Sequence, residues 1–192
     1  MLTRNRPPTE LTTLAVVVRP AEFGDLKACS LLDSSFATSY VWQMESQEKE
    51  GELSIVFRIV KLPRAMRVSY PRDHTHLLEN WRREECFLIA EEGGVVRGFI
   101  DMTVQAWHMT GWINNLVVTK RSRRRGIGSA LLWAAMRWGY EKGLKQVIAE
   151  TQTKNYPAIC FYQKNGFVLC GFNDHYYLNQ DIALFFVQPL RT

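Results

Sequence analysis

A loop with three consecutive arginines and two glycines separates an apolar run from an amphipathic segment. The apolar run, residues 112–119, is rich in β-branched side chains and predicts a strand. Apolar residues recur at helical intervals over 127–142, and Gly143 marks the expected end of that helix. A strand, a loop and a helix follow one another in this order, which favours a fold in which the end of the strand lies next to the start of the helix.

The loop itself indicates an anion site. Residues 123–129 read Arg-Arg-Arg-Gly-Ile-Gly-Ser. Gly126 and Gly128 allow the backbone to approach a ligand closely. The N–H groups and the positive dipole end of the following helix favour an anion, and nearby arginines add charge-assisted hydrogen bonds. Strand, loop and helix start together predict a cradle for a pyrophosphate.

The positive charge of the chain is concentrated in this loop. The chain has 24 basic and 19 acidic residues, a net charge of +5. Five of the basic residues lie between Lys120 and Arg125, so the rest of the chain is neutral. A surface that binds nucleic acid usually spreads its charge, which favours a local anion here. Nucleic-acid binding through 120–125 is the alternative, and it predicts a steep salt dependence.

The glycines and arginines of the loop have three other interpretations. A P-loop requires a lysine after the second glycine, and Ser129 stands there. A dinucleotide fingerprint requires a third glycine where Leu131 stands, although Glu150 lies at a suitable distance for its acidic residue. The third interpretation is a solvated basic turn in which Gly126 only caps the helix. From the loop alone, the last two stay open.

The rest of the hydrophobic pattern predicts an α/β (α+β) domain built on one mixed sheet. The length suits one domain, 1–192, with a loose N-terminal arm at 1–13. Segment 64–80 is open between a loop and a short helix. Further predicted strands are 14–19, 53–62 (stopped by Pro63), 86–90, 95–104, 146–152, 167–172 and 183–188, and further helices are 22–32 and 157–165.

The sequence lacks the signals that are typical of membrane, secreted and metal-binding proteins. No apolar run approaches the roughly 18 residues of a membrane helix, and no signal peptide is evident, so a cytoplasmic protein is expected. The cysteines form no Cys-x-x-Cys pair, and Cys29, Cys86 and Cys160 are expected to be buried thiols. The histidines at 74 and 76 have no second cluster, so no metal is predicted.

Two motifs together resemble a known superfamily. Arg123-x-x-Gly126-x-Gly128 after a strand is similar to the acetyl-CoA motif of the GNAT superfamily of N-acetyltransferases. A second signature follows in the expected order: Glu150, then Asn155-x-x-Ala158-x-x-Phe161-Tyr162-x-x-x-Gly166-Phe167. The resemblance covers 86–190. Within the superfamily, the segments 126–131, 141–144 and 150–152 most resemble streptothricin acetyltransferases.

The resemblance implies a fold and a reaction. The fold is a mixed twisted sheet of about seven strands flanked by about four helices, with 86–190 as the acetyl-CoA-binding core. The reaction moves an acetyl group from acetyl-CoA to a primary amine by direct transfer in a ternary complex, with a streptothricin-like antibiotic as one acceptor. The alternatives are a protein N-terminus, a lysine or a polyamine as acceptor, and a regulatory protein that binds acetyl-CoA without turnover. No metal, nucleic-acid or membrane partner is expected, and a homodimer is left open.

The resemblance also implies site residues. Tyr162 matches the general acid, although packing is its other interpretation. Glu150 is the base, acting directly or through water, although it is otherwise an exposed carboxylate or a salt-bridge partner. The residues implied for acetyl-CoA are Leu116, Val117 and Val118 for the arm, Arg123, Arg124, Arg125, Gly126, Ile127, Gly128 and Ser129 for the pyrophosphate, and Asn155, Ala158 and Phe161 beside the arm.

One departure concerns the acceptor. Streptothricin acetyltransferases are acidic in the cofactor-binding strand, where this chain has Asn114 and Asn115. An asparagine donates and accepts hydrogen bonds but cannot take a proton from the amine. Asn114, Asp101 and Asp174 are therefore the substrate-binding candidates beside Glu150. Specificity is expected to depend on 40–80.

Overall fold

The computed structural model describes residues 15–69 and 76–190, so the N-terminal arm expected at 1–13 lies outside the described residues. The strands are Val16–Pro20 (β1), Phe36–Lys49 (β2), Glu52–Val68 (β3), Cys86–Glu92 (β4), Val95–Gln105 (β5), Thr110–Val118 (β6), Gln146–Gln152 (β7), Val168–Asn173 (β8) and Ala183–Pro189 (β9). The α-helices are Leu26–Ser30 (α1), Leu77–Arg82 (α2), Ile127–Glu141 (α3) and Tyr156–Lys164 (α4), and short 3₁₀ turns span Phe23–Asp25, Ala106–His108 and Lys120–Ser122.

Seven strands form one mixed sheet in the described part of the chain, in the order β1-β4-β5-β6-β7-β9-β8. Only β6 and β7 pair in parallel; the other neighbours are antiparallel. A parallel pair needs a crossover connection, which α3 supplies. The predicted mixed sheet of about seven strands with about four helices is confirmed.

The helices cover the sheet on both faces. Leu131 and Leu132 of α3 and Ile159 of α4 belong to the larger core cluster, together with Ile100 of β5. The smaller cluster joins α1 and α2 to the opposite face and includes Val117. The buried positions of α3 recur at helical spacing, which explains why this segment was recognisable from its sequence.

A β-bulge in β6 changes which face its side chains meet. Asp101 pairs with Asn115 and Met102 with Ile113, so Asn114 is an extra residue. Ile113 packs in the larger core and Val117 in the smaller one. In a regular strand, residues four apart point to the same face. The bulge therefore reverses the alternation at Asn114.

The sheet opens at the same place. The pairing of β6 with β7 ends at Ile113 and Ala149, although β6 continues to Val118 and β7 to Gln152. Beyond Asn114, the edge of β6 that faces β7 has no strand partner among residues 15–69 and 76–190. Its backbone N–H and C=O groups are available to an extended ligand.

The long hairpin of β2 and β3 corrects one prediction. Pro63 does not stop the strand: β3 continues to Val68. Pro63 lies where the stretch from Lys61 to Met66 faces only Thr38–Tyr40, an irregularity in the register. A proline is tolerated at such a bulge because it owes no N–H to the ladder there.

Two smaller predictions also change. The helix expected over 22–32 is only α1 preceded by a 3₁₀ turn, and the Ser30 hydroxyl donates to the Lys27 carbonyl near its end. Cys29 and Cys86 are buried, which raises the pKa of both thiols to about 12, whereas Cys160 is exposed. The expectation of one domain over 1–192 stays a prediction. Within the described residues, no helix has both the length and the apolar character to cross a membrane.

Gly98 tests the close approach of β5 to β6. A Cβ at this position would lie 2.6 Å from the Val117 carbonyl oxygen, whereas a Cβ at Gly24 would meet nothing within 4 Å. We expect Gly98→Ala to lower the free energy of unfolding by about 1–3 kcal/mol, because backbone must move. Gly24→Ala should change it by less than about 0.5 kcal/mol. Urea unfolding of both variants gives the comparison, and equal stabilities would contradict the packing of β5 on β6.

Candidate active site

The turn into α3 exposes backbone donors. Gly126 caps the helix with φ +85° and no side chain, so the N–H groups of Ile127, Gly128 and Ser129 have neither an intrahelical acceptor nor a side-chain cap. Arg124, two residues earlier, also has a positive φ, +65°. The turn therefore presents donors and the positive end of the helix dipole to one side.

Arg123 holds this turn in place. Its guanidinium donates to three carbonyl oxygens, those of Val118 (2.9 Å), Ser35 (2.8 Å) and Asp33 (3.0 Å). Burial lowers the pKa of Arg123 below its ordinary value. The side chain that the motif suggested as a ligand contact instead ties the loop to residues 33–35.

The next two arginines differ in their partners. Arg125 pairs with Glu92 (2.5 Å), which also receives Arg97 (3.1 Å). These guanidinium groups hold the pKa of Glu92 below its usual range, the hydrogen bond from Arg125 being the largest cause. Arg124 is exposed and has no ion-pair partner in the described part of the chain. Arg124 is therefore the arginine of the triplet that is available to an anion.

Helix α4 lies against the start of α3. Asn155 caps α4 by accepting a hydrogen bond from the Ala158 N–H (3.2 Å), and Pro157 occupies the first turn. A Cβ at Gly128 would lie 3.3 Å from the ring of Phe161, in the second half of α4. The absence of a side chain at Gly128 therefore permits the close approach of Phe161 to the first turn of α3.

Tyr162 follows on α4 and is buried. Its ring lies 5.4 Å from Phe161, 5.5 Å from Phe167 and 6.1 Å from Phe186, measured between ring centroids. These contacts fix the ring of Tyr162 next to Phe161, the residue that meets Gly128. The role of its hydroxyl as an acid stays a prediction.

Glu150 lies where the two strands separate, one residue beyond the last β6–β7 pair. Its Oε2 atom accepts hydrogen bonds from the Tyr176 hydroxyl (2.6 Å) and from the Trp112 indole N–H (3.3 Å). The structure therefore places Glu150 among aromatic donors at the opening of the sheet.

A cavity of about 480 Å³ lies next to the two residues that donate to Glu150. Trp112 and Tyr176 line it, and Glu150 lies behind them, outside the lining. Its lining combines aromatic, polar and basic side chains: Arg83, Thr103, Gln105, Trp107, His108, Trp112, Asn114 and Tyr176. Of these, only Asn114 was a substrate-binding candidate from the sequence. The other residues come from separate elements and have no fixed spacing along the chain that a motif could describe.

Asp101 is buried beneath the bulge. Its carboxylate accepts amide N–H bonds from Asn80 (2.8 Å), Asn114 (3.0 Å) and Asn115 (2.7 Å). Asp174 is exposed, pairs with His175 (3.3 Å) and is not part of the cavity lining. Contact of either aspartate with a substrate stays a prediction, and the structure turns Asp101 toward the protein's own amides.

The two sides of the gap fit different parts of one elongated ligand. The open donors of α3 and the Arg124 side chain suit a pyrophosphate. The unpaired edge at Leu116, Val117 and Val118 suits an extended arm with amide groups. Among the described residues, no group of three or more His, Cys, Asp or Glu side chains is placed to hold a metal ion.

Comparison with known sequences points to one family. Residues 56–167 match the family model for acetyltransferases of the GNAT family. The chain is 28% identical over 164 residues to streptothricin acetyltransferase of Streptomyces lavendulae, covering 83% of this chain and 85% of the relative. It is 30% identical over 160 residues to an N-alpha-acetyltransferase of Sulfurisphaera tokodaii, covering 76% and 94%.

Solved structures agree with the fold. Nourseothricin acetyltransferase has a TM-score of 0.81 at 24% identity, over 92% of this chain and 99% of that one. A Bacillus anthracis str. Ames protein, crystallised in complex with acetyl coenzyme A, has a TM-score of 0.74 at 23% identity, over 94% and 100%. At these identities the likeness shows the fold.

Arg123 and Arg124 are a matched pair for a test of stability. Arg123→Ala removes three hydrogen bonds to carbonyl oxygens, whereas Arg124→Ala removes the same charge and no such bond. We expect the first change to lower the free energy of unfolding by about 2 kcal/mol and the second by less than about 0.5 kcal/mol. Urea unfolding measures both. Similar losses would show that Arg123 does not hold the loop.

Proposed function

Since the chain belongs to the acetyltransferase (GNAT) family, we propose that it moves the acetyl group of acetyl-CoA to a primary amine by direct transfer in a ternary complex. One observation carries this proposal. The gap between β6 and β7 has an anion-binding helix start at one end and the Glu150 carboxylate with its cavity at the other. A phosphate-bearing donor and an amine acceptor therefore meet along one strand edge.

The donor side uses backbone more than side chains. The pyrophosphate of acetyl-CoA is held by the N–H groups of residues 124–129 and by the Arg124 side chain. The pantetheine arm pairs with the edge at Leu116, Val117 and Val118, and Asn155, Ala158 and Phe161 lie beside it. The backbone N–H near Val118 polarises the thioester carbonyl. Arg123 and Arg125 contribute by fixing the loop.

The acceptor side supplies the base. An amine of pKa ~10 arrives protonated and must lose a proton before it attacks. Glu150 takes that proton, directly or through water, and passes it to solvent. The nitrogen lone pair forms the C–N bond at the thioester carbonyl and the C–S bond breaks. Tyr162 protonates the departing thiolate, and the second proton lost by the nitrogen restores the phenol.

A streptothricin-like amine is the first acceptor we propose, because a streptothricin acetyltransferase is among the relatives that cover most of the chain. A peptide α-amine is the second, because an N-alpha-acetyltransferase is similar over 94% of its length. The basic side chain of Arg83 in the cavity lining favours a less cationic acceptor than an antibiotic with many amines. Cytoplasmic location and a homodimer stay predictions.

Arg124→Ala tests the donor site. We expect acetyl-CoA to bind about tenfold more weakly by calorimetry, because one charge-assisted phosphate contact is lost. The free energy of unfolding should fall by less than about 0.5 kcal/mol. Arg137→Ala, which removes an exposed arginine on the outer side of α3, is the control. Equal affinities for both variants would exclude Arg124 from the pyrophosphate site.

Glu150→Gln and Tyr162→Phe test the chemistry. Each should lower kcat by roughly 100-fold, the usual size of general acid–base catalysis, and leave acetyl-CoA affinity within about twofold. Thiol release from acetyl-CoA is measured with streptothricin, aminoglycosides, polyamines and short peptides. Glu141→Gln and Tyr140→Phe make the same chemical changes on α3, away from the gap, and should keep full activity.

The acceptor panel separates the candidates. Turnover of streptothricin alone supports the first acceptor, and turnover of a peptide supports the second. Acetyl-CoA binding without turnover of any amine in the panel would exclude both acceptors and leave the acetyl-CoA site with another acceptor.

A further inference from the structure

Tyr176 contacts the carboxylate that the proposed mechanism uses as a base. It lies in the connection 174–182 between β8 and β9, far along the chain from Glu150. Its hydroxyl donates to Glu150 Oε2 at 2.6 Å, and Trp112 donates to the same oxygen at 3.3 Å. Two hydrogen bonds to one oxygen restrict the rotation of the Glu150 carboxylate.

The ring of Tyr176 is held by other aromatic rings. It packs edge-on against Phe185, with centroids 5.5 Å apart, and against Tyr177 at 5.1 Å. Phe185 pairs directly with Glu150 across β7 and β9 and lies 5.6 Å from Trp112. The carboxylate therefore stands beside three rings that pack on one another, and two of them donate to it.

The connection that carries Tyr176 is fastened at its far end. The Asp181 carboxylate pairs with Lys154 at 2.6 Å, accepts the Asn179 amide at 2.7 Å and also accepts the Gln152 amide. Lys154 and Gln152 lie at the end of β7, a few residues after Glu150. These contacts fix 174–182 to the strand that bears the carboxylate.

We propose that Tyr176 is a positioning residue for acetyl transfer: with Trp112, it holds the Glu150 carboxylate in a fixed orientation beside the acceptor cavity. The inference rests on the proposed function, in which Glu150 receives the acceptor's proton. Tyr176 also lines the cavity, so it sets the orientation of the base where the amine enters.

Other titratable groups face this part of the cavity. Arg83 follows α2, and His108 belongs to the 3₁₀ turn after β5. His175 and Asp174 precede Tyr176 and pair with each other at 3.3 Å on the exposed side. These groups are unchanged in the Tyr176 and Trp112 variants, so a difference in kcat between wild type and a variant reports the lost hydrogen bond.

The test is a double-mutant cycle on kcat and KM with wild type, Tyr176→Phe, Glu150→Gln and the variant that carries both changes. Without the hydrogen bond from Tyr176 the carboxylate is held less firmly, so we expect Tyr176→Phe to lower kcat about tenfold and to leave acetyl-CoA affinity within about twofold. In Glu150→Gln, where no base remains to be oriented, Tyr176→Phe should change kcat by less than about twofold. Trp112→Phe should lower kcat in the same direction, and Tyr140→Phe should leave it unchanged.

A second measurement separates orientation from folding. Urea unfolding shows whether Tyr176→Phe is folded, and Trp112→Phe takes its place in the cycle where it is not. An unchanged kcat in the folded variant overturns the inference, and so does an equal fall in kcat with and without the Glu150 carboxylate. Full activity in Glu150→Gln instead overturns the base of the proposed function, so the two failures are distinguishable.

Discussion

The extra residue at Asn114 determines where the sheet opens. Parallel pairing of β6 with β7 ends one residue before Asn114. The alternation of β6 is reversed at Asn114, so Ile113 packs in the larger core and Val117 in the smaller one. Asp101 holds the distortion, because each of its carboxylate oxygens accepts an amide from one of the two adjacent asparagines. The free strand edge begins directly after this residue, and Glu150 lies one position beyond the last pair of β6 and β7.

The three consecutive arginines of the loop, residues 123–125, have different roles. Arg123 donates to carbonyl oxygens of the protein, and the exposed Arg125 pairs with Glu92. Their contacts fix the backbone of the turn, in which Arg124 and Gly126 both have a positive φ. A rigid turn lets the N–H groups of α3 face an anion without a conformational cost at binding. The sequence motif thus combines residues that build the site with one that is available to the ligand.

The parts of the fold with strong local signals were predictable. The 3.6-residue period placed α3, and the Gly-Gly turn placed β4 and β5, because these patterns depend on neighbours along the chain. The continuation of β3 past Pro63 was not predictable, because it depends on a bulge opposite Thr38–Tyr40. The burial of Asp101 was missed for the same kind of reason: its partners come from α2 and β6.

The two halves of the candidate site also differ in whether their residues lie close together along the chain. Its donor half is built from two contiguous stretches, 116–129 and 155–161, so a motif of fixed spacing describes it. Its acceptor half takes Arg83, Thr103, Trp112 and Tyr176 from four separate elements, and no spacing relates them. Substitutions in the acceptor half therefore alter the cavity without moving the turn at α3.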